Sequence, residues 1–295
     1  LNNIGGIYDA QGNKEEALKC YEEALQIAEQ LGNLSGKATY LNNIGEIFRA
    51  QGNYPEALKR HEEALQIDER LGNLSGKASC LNNIGGIHYV QGDSPEALKR
   101  YEEALQIAEQ LGDLSGKASC LNNIAVIHYA QANYPKALKR YEEALQIARQ
   151  LGDLSGIVIS LNNIGRIYQD QGNYPEALKR YEEALQIAEH LGEFKNKAIS
   201  LNQIGLIYRK QRNYPEAMNR FEEALQIDEH LGNLRGKATS LNNIATVHYA
   251  QGNYQMALKY LEEALEILNG LGLNESPDVQ NYKKGIEHIK FMLSQ

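Results

Sequence analysis

Only three cysteines, Cys20, Cys80 and Cys120, occur in 295 residues, too few for a disulfide framework. Cys80 and Cys120 hold the same place in adjacent copies of a repeated segment, where stacked helices would lie about 8–10 Å apart. That spacing is beyond a disulfide's reach, so we expect a reducing, cytoplasmic setting. No run of 18 apolar residues occurs, which excludes a hydropathic transmembrane helix and leaves no membrane partner to expect. Neither Cys-x-x-Cys nor a histidine pair at i, i+4 is present, so no metal and no cofactor are expected. Positive charge is not in excess. The net charge of −8 argues against a nucleic-acid partner held by bulk positive charge.

What the chain does have is a repeat. LNNIG or a close variant begins at Leu1, Leu41, Leu81, Leu121, Leu161, Leu201 and Leu241, a period of 40 residues. Repeats of this length indicate stacked units. In the copy at 161–200, Leu161, Ile164, Gly165 and Tyr168 fall at i, i+3, i+4 and i+7, one stripe of a helix. Ala177, Leu178, Tyr181, Ala184, Leu185 and Ile187 or Ala188 form a second stripe. Between them, Gln171 to Pro175 stops one helix and starts the next. The second helix of each copy ends at a glycine (Gly32, Gly72, Gly112, Gly152, Gly192, Gly232, Gly272), as a left-handed C-cap requires. An Asp or Asn often follows and suits the N-cap of the next helix. The other turn tolerates Ala132 and Arg212 in place of Gly172, which predicts no positive φ there.

With Leu161, Ile164-Gly165, Tyr168, Ala177, Tyr181 and Ala184 matching its pattern, the chain resembles the tetratricopeptide repeat family. The likeness recurs seven times and covers nearly the whole chain. Leu replaces the usual Trp, the closing Pro is missing, and the unit has 40 residues against about 34. The longer unit and its LNN run are similar to kinesin light chain, to Pins-type adaptors, and to the repeat tails of bacterial STAND signalling ATPases. The resemblance implies an all-α, right-handed α-solenoid of helix-turn-helix units. We divide it into seven repeats over 1–272 (1–40, 41–80, 81–120, 121–160, 161–200, 201–240 and 241–272) and a C-terminal capping helix over 273–295. Val279, Tyr282, Ile286, Ile289 and Leu293 would form the buried stripe of that helix. The first copy lacks the opening turn the others have, so the N-terminus reads as truncated.

Three features that resemble catalytic sites have simpler explanations. Gly72 to Ser79 resembles a phosphate-binding loop but has three residues between its glycines, Ala78 after the lysine, and a helix before it. It reads as a repeated linker. His88, His128 and His248 share a slot with Tyr8, Phe48, Tyr168 and Tyr208, which predicts packing between helices. His190 and His230 suit a helix C-terminus. The carboxylate pairs (Glu62-Glu63, Glu102-Glu103 and their copies) recur in every unit with Lys59 or Lys99 four residues before the second Glu, a surface pairing. An enzyme needs one site rather than seven equivalent ones, and no enzyme is expected.

The asparagines differ. Each copy carries two amides beside its core stripe: Asn42 and Asn43, Asn82 and Asn83, Asn122 and Asn123, Asn162 and Asn163, Asn202 with Gln203. Asn is a mediocre helix former, and each amide offers two donors and an acceptor. The resemblance implies that this first helix lines a concave groove and that the amides hold a bound peptide. The alternative is that they bridge neighbouring helices. Two slots beside them vary: Gly6, Glu46, Gly86, Val126, Arg166, Leu206, Thr246, and Asp9, Arg49, Tyr89, Tyr129, Gln169, Arg209, Tyr249. Tyr89 and Tyr129 would make the middle of the groove aromatic, and Arg166, Arg209 and Lys210 its later half basic. We expect a protein or peptide ligand with acidic residues at one end. Related co-chaperone repeats grip a terminal carboxylate with Lys among their asparagines; no Lys stands in the first-Asn slot here. The function expected is therefore a protein-interaction scaffold. The alternatives are a sensor or autoinhibitory tail of a larger signalling ATPase, and a structural or consensus array without a natural ligand.

Overall fold

The computed structural model describes residues 1–294, which form fifteen α-helices and no strand among the described residues. The chain divides into two compact units, one over Leu1–Leu151 and one from Gly152 onward. The first unit holds α1 (Asn2–Ala10), α2 (Lys14–Gln30), α3 (Leu34–Ala50), α4 (Tyr54–Leu71), α5 (Leu74–Val90), α6 (Ser94–Leu111), α7 (Leu114–Ala130) and α8 (Tyr134–Leu151). The second holds α9 (Leu154–Asp170), α10 (Tyr174–Leu191), α11 (Phe194–Lys210), α12 (Tyr214–His230), α13 (Leu234–Ala250), α14 (Tyr254–Gly270) and α15 (Pro277–Leu293). Up to α14, odd-numbered helices (A) carry the LNNIG run and even-numbered helices (B) the EEAL run. Each A helix packs against the B helix that follows it. The result is an all-α solenoid.

The A–B packing rests on one small residue and one large one. A Cβ placed on Gly165 would come within 2.7 Å of Cε1 of Tyr181, a fully buried side chain. Gly45 meets His61 and Gly205 meets Phe221 in the same way. From α3 to α11 the A helices bury Leu, Ile and Ile at Leu81, Ile84 and Ile87 and their equivalents, and α13 buries Leu241, Ile244 and Val247. The B helices bury mainly alanine, at Ala97, Ala104 and Ala108 for example, so helix axes approach closely without large side chains between them.

Helix ends follow sequence chemistry. Asn53 accepts from the Glu56 amide at the start of α4, with Pro55 in the first turn, and Asn73 accepts from the Gly76 amide at the start of α5. The C-cap glycines are left-handed throughout, with φ of 66° at Gly72 and 74° at Gly272. Asn73 N donates to Asp68 O, and Gly72 N to Glu69 O, the Schellman pattern.

Two expectations are corrected. The A-to-B turn does need positive φ: Gly172 has φ 76°, and the residues replacing it keep the conformation, Ala132 at 55° and Arg212 at 62°. Substitution in that slot therefore records tolerated strain. Ala132 N still donates to Tyr129 O, and Asn133 N to His128 O, so the hydrogen bonds of the turn hold an unfavourable backbone in place. In α15, Val279, Tyr282, Ile286 and Ile289 are buried, but Leu293 is 42% exposed and drops off the stripe.

Candidate functional site

The helical face that carries the asparagines presents two amides per A helix, one nearer the core. In the first unit, Asn83 Nδ2 donates to Asn42 Oδ1 at 3.1 Å, Asn123 Nδ2 to Asn82 Oδ1 at 2.9 Å, and Asn43 Nδ2 to Asn2 Oδ1 at 3.1 Å. In the second, Asn243 Nδ2 donates to Asn202 Oδ1 at 3.0 Å. The residue three positions before the donor reaches the same first asparagine. Cys80 and Cys120 approach Asn42 and Asn82 at 3.8 and 3.9 Å, and Ser200 donates to Asn162 at 3.0 Å. Positions three apart on one helix lie on one face, so a single A helix delivers both groups to the amide behind it.

The carbonyl oxygens of Asn2, Asn42, Asn82, Asn162 and Asn202 are thus used between helices. Asn42 and Asn82 are half-buried, and neither donates through its Nδ2 to another described residue. Asn122 Oδ1 is buried without a hydrogen-bond partner. In the second unit Asn163 is half-buried.

The varied slots separate by chemistry. Arg49 forms an ion pair with Glu46, Nη2 to Oε2 at 2.7 Å with Nε also within reach. Glu46 also faces His61, whose Nε2 lies 3.5 Å from Oε1, long for a hydrogen bond. Burial alone would raise the Glu46 carboxyl, but His61 and Arg49 outweigh it and hold it at about 2. His61 Nδ1 sits 2.9 Å from Asn42 Oδ1, so the fully buried imidazole joins the amide row to the varied slot. Tyr89 packs half-buried against the core of the first unit, and the rings of Tyr129 and Tyr134 lie 5.9 Å apart. Arg166 and Lys210 are exposed. Arg209 is half-buried, has no ion pair among the described residues, and keeps Nε buried without a hydrogen-bond partner.

The expected groove residues therefore fall in two sets. Asn42, Asn43, Asn82, Asn83, Asn122, Asn123, Arg49, Tyr89 and Tyr129 lie in the first unit; Asn162, Asn163, Asn202, Arg166, Arg209 and Lys210 lie in the second. Sequence reasoning missed His61 and the buried Asp68 and Asp228. Each is a departure within its own slot, His where others have an aromatic or Leu, Asp where others have Ala or Leu. Comparing copies slot by slot exposes all three.

The linker lysines have structural partners: Lys77 pairs with Glu69 at 2.8 Å and Lys117 with Glu109 at 2.7 Å. In two of the Glu pairs the second carboxylate faces an arginine rather than the expected lysine, Glu63 with Arg60 at 3.8 Å and Glu103 with Arg100 at 3.7 Å. Burial, aided by Asp68, pushes the Cys80 thiol up to about 12, and burial pushes Cys120 to about 11. Neither is a reactive thiolate. No group of three His, Cys, Asp or Glu side chains suited to a metal occurs among the described residues. Among them, no helix is long and apolar enough to cross a membrane.

No curated protein matches the chain in sequence. Among solved structures, the apo form of RapI is similar over 92% of this chain and 97% of its own, with TM-score 0.74 and 16% identity. A signal transduction ATPase with numerous domains (STAND) with a tetratricopeptide repeat sensor, from Pyrococcus horikoshii, matches 99% of this chain at TM-score 0.73 and 20% identity. This chain spans 44% of that protein. A Rap protein complexed with competence and sporulation factor matches 95% of this chain and 80% of its own at TM-score 0.66 and 19% identity. At such identities the likeness is one of fold. The model of the tetratricopeptide repeat matches residues 1–70, 77–150, 156–230 and 198–270. With most of its length accounted for in this way, the chain belongs to the tetratricopeptide repeat family.

Proposed function

We propose that this protein is a non-catalytic interaction scaffold whose A-helix face forms a groove for an extended or helical peptide segment of a partner protein. The observation that carries this reading is a recurring pair of amides, half-buried at Asn42 and Asn43, Asn82 and Asn83, Asn122 and Asn123, and Asn162 and Asn163, beside slots whose side chains change from copy to copy. Asn42 and Asn82 spend their carbonyls on the neighbouring helix and keep Nδ2 for another acceptor. A peptide backbone supplies carbonyl acceptors regardless of its sequence. The variable residues then select side chains: Tyr89 and Tyr129 an apolar group, Arg166, Arg209 and Lys210 an acidic one. The division into seven repeats over 1–272 and a cap over 273–295 belongs to the same proposal, as do a cytoplasmic setting and the absence of a nucleic-acid or membrane partner.

A peptide array probed with wild type and with Asn42→Ala/Asn82→Ala, matched for helicity and melting, tests the reading. Peptides bound by wild type and lost in the variant support it. An array bound by neither overturns it.

The match to the Pyrococcus horikoshii protein favours a second reading, in which this segment is the sensor tail of a larger signalling ATPase. Sequencing the gene upstream of Leu1 decides it. A nucleotide-binding domain supports the tail, and any other upstream sequence removes it.

A further inference from the structure

A cavity of about 640 Å³ opens in the second unit between α13 and α15, with Arg209 of α11 on its far wall. Its volume falls within the range of ligand pockets, roughly 300–1,000 Å³. One departure in the repeat borders it. In α2 and α6 of the first unit a tyrosine sends its hydroxyl towards the preceding A helix: Tyr21 Oη would lie 3.7 Å from a Cβ on Gly6, and Tyr101 Oη 3.5 Å from one on Gly86. In the last copy the equivalent pair is Thr246 with Leu261, and both line the cavity. Leu261 ends short of where the phenol would reach, leaving space under Thr246.

The walls carry uneven charge. Arg209 comes from α11 with no carboxylate partner among the described residues, and its Nε is buried without a hydrogen bond. Asp278 stands exposed on α15, at the other wall. His288 Nε2 is taken up by Tyr249 Oη at 2.9 Å. Leu261 and Ile289 make the floor apolar. A desolvated cation without a counter-charge gains most from an anion that brings little water with it.

We infer that this cavity seats a carboxylate-bearing peptide side chain against Arg209, with a neighbouring apolar side chain on Leu261 and Ile289. Asp278 then disfavours a second acidic residue at the α15 wall. This inference rests on the reading of the A-helix face as a peptide-binding surface, and assigns one end of that surface its residue preference.

The test is a titration followed through the Ile289 methyl resonances of the full chain. The two probes, N-acetyl-leucyl-glutamate amide and N-acetyl-leucyl-glutamine amide, differ only in side-chain charge. Wild type should half-saturate with the glutamate probe at about tenfold lower concentration, the effect of one charge-assisted hydrogen bond. Arg209→Gln should equalise the two probes. Leu261→Tyr, which restores the residue found in other copies, should abolish the shifts from both. Equal half-saturation in wild type, an acidic preference that survives Arg209→Gln, or unchanged binding in Leu261→Tyr would each overturn the inference. Array peptides that still bind Leu261→Tyr but not the asparagine variant would sink the cavity alone, whereas an empty array sinks the broader groove.

Discussion

Asn73 Nδ2 donates to Oδ1 of Asp68, a buried carboxylate five residues earlier, at 2.7 Å. Asn233 and Asp228 repeat the contact at 2.6 Å. At Ala108 and Ala148 the carboxylate is absent and the second position is Asp113 and Asp153, each of which caps the next helix; Ala28 keeps Asn33 there, and Ala188 is followed by Glu193. Burial raises the Asp68 carboxyl above its ordinary value, although Asn73 and Cys80 lower it in part. Its ionised form therefore weakens the fold at neutral pH, and protonation relieves this as pH falls. Asp68→Asn should raise the melting temperature at pH 7, with the gain fading below about pH 4. Asn73→Asp should do the opposite, costing about 1–3 kcal/mol at pH 7 and recovering on acidification. Denaturation of both variants across pH checks the signs.

The carboxylate of Glu46 gives the reverse pH dependence. It is held at about 2, below its unfolded value, so it contributes stability above the unfolded pKa, and that contribution is lost as pH falls towards 2. Glu46→Gln should lower stability at pH 7, and its denaturation midpoint should converge with wild type near pH 2. A constant gap between the two across that window would show that the pairing with Arg49 and His61 is not responsible.

The contact between Gly165 and Tyr181 sets a limit on side-chain size. Gly165→Leu should cost about 1–3 kcal/mol or more through overpacking, read as a fall in melting temperature. Gly165→Ala should cost far less, because Ala125 already faces Tyr141 with both side chains buried. An unchanged melting temperature in the leucine variant would refute the close approach.

Ala132 and Arg212 occupy left-handed backbone at φ 55° and 62°. A side chain there costs about 1–2 kcal/mol, partly offset by the greater chain entropy that glycine loses on folding. Ala132→Gly and Arg212→Gly should each stabilise by about 0.5–1 kcal/mol, measurable by urea denaturation. The native hydrogen bonds of both turns would be unchanged.

The fold was legible because a 40-residue period repeats its apolar stripes and breakers seven times, and local chemistry at Pro55, Asn73 and Gly72 agrees with it. The groove was less legible. A sequence shows that Asn82 and Asn123 recur in register, but not that the second donates a hydrogen bond to the first, since that depends on helix separation. The turn at Ala132 departs from expectation because replacing glycine does not free a position from positive φ when tertiary packing forces the conformation. His61 and Asp68 escaped notice because the consensus of the copies masked their single departures. The cavity beside Arg209 depends on what is missing at Leu261, a phenol, and the size of a gap is not encoded by any one residue.

Within the first unit, Asn42 receives Asn83, Asn82 receives Asn123, and the cysteines three positions earlier approach in the same register. Removing residues 83–122 would bring Asn123 opposite Asn42 with every polar group still matched. Removing one residue more or fewer would turn the following helix by about 100° and strand the amides. Recombination between neighbouring copies is thus filtered at the level of hydrogen bonding: whole units can be gained or lost within this unit, while fractional changes are penalised at once. The amide row works as a counting device, and its length is a quantity that genetic drift can alter without refolding the parts.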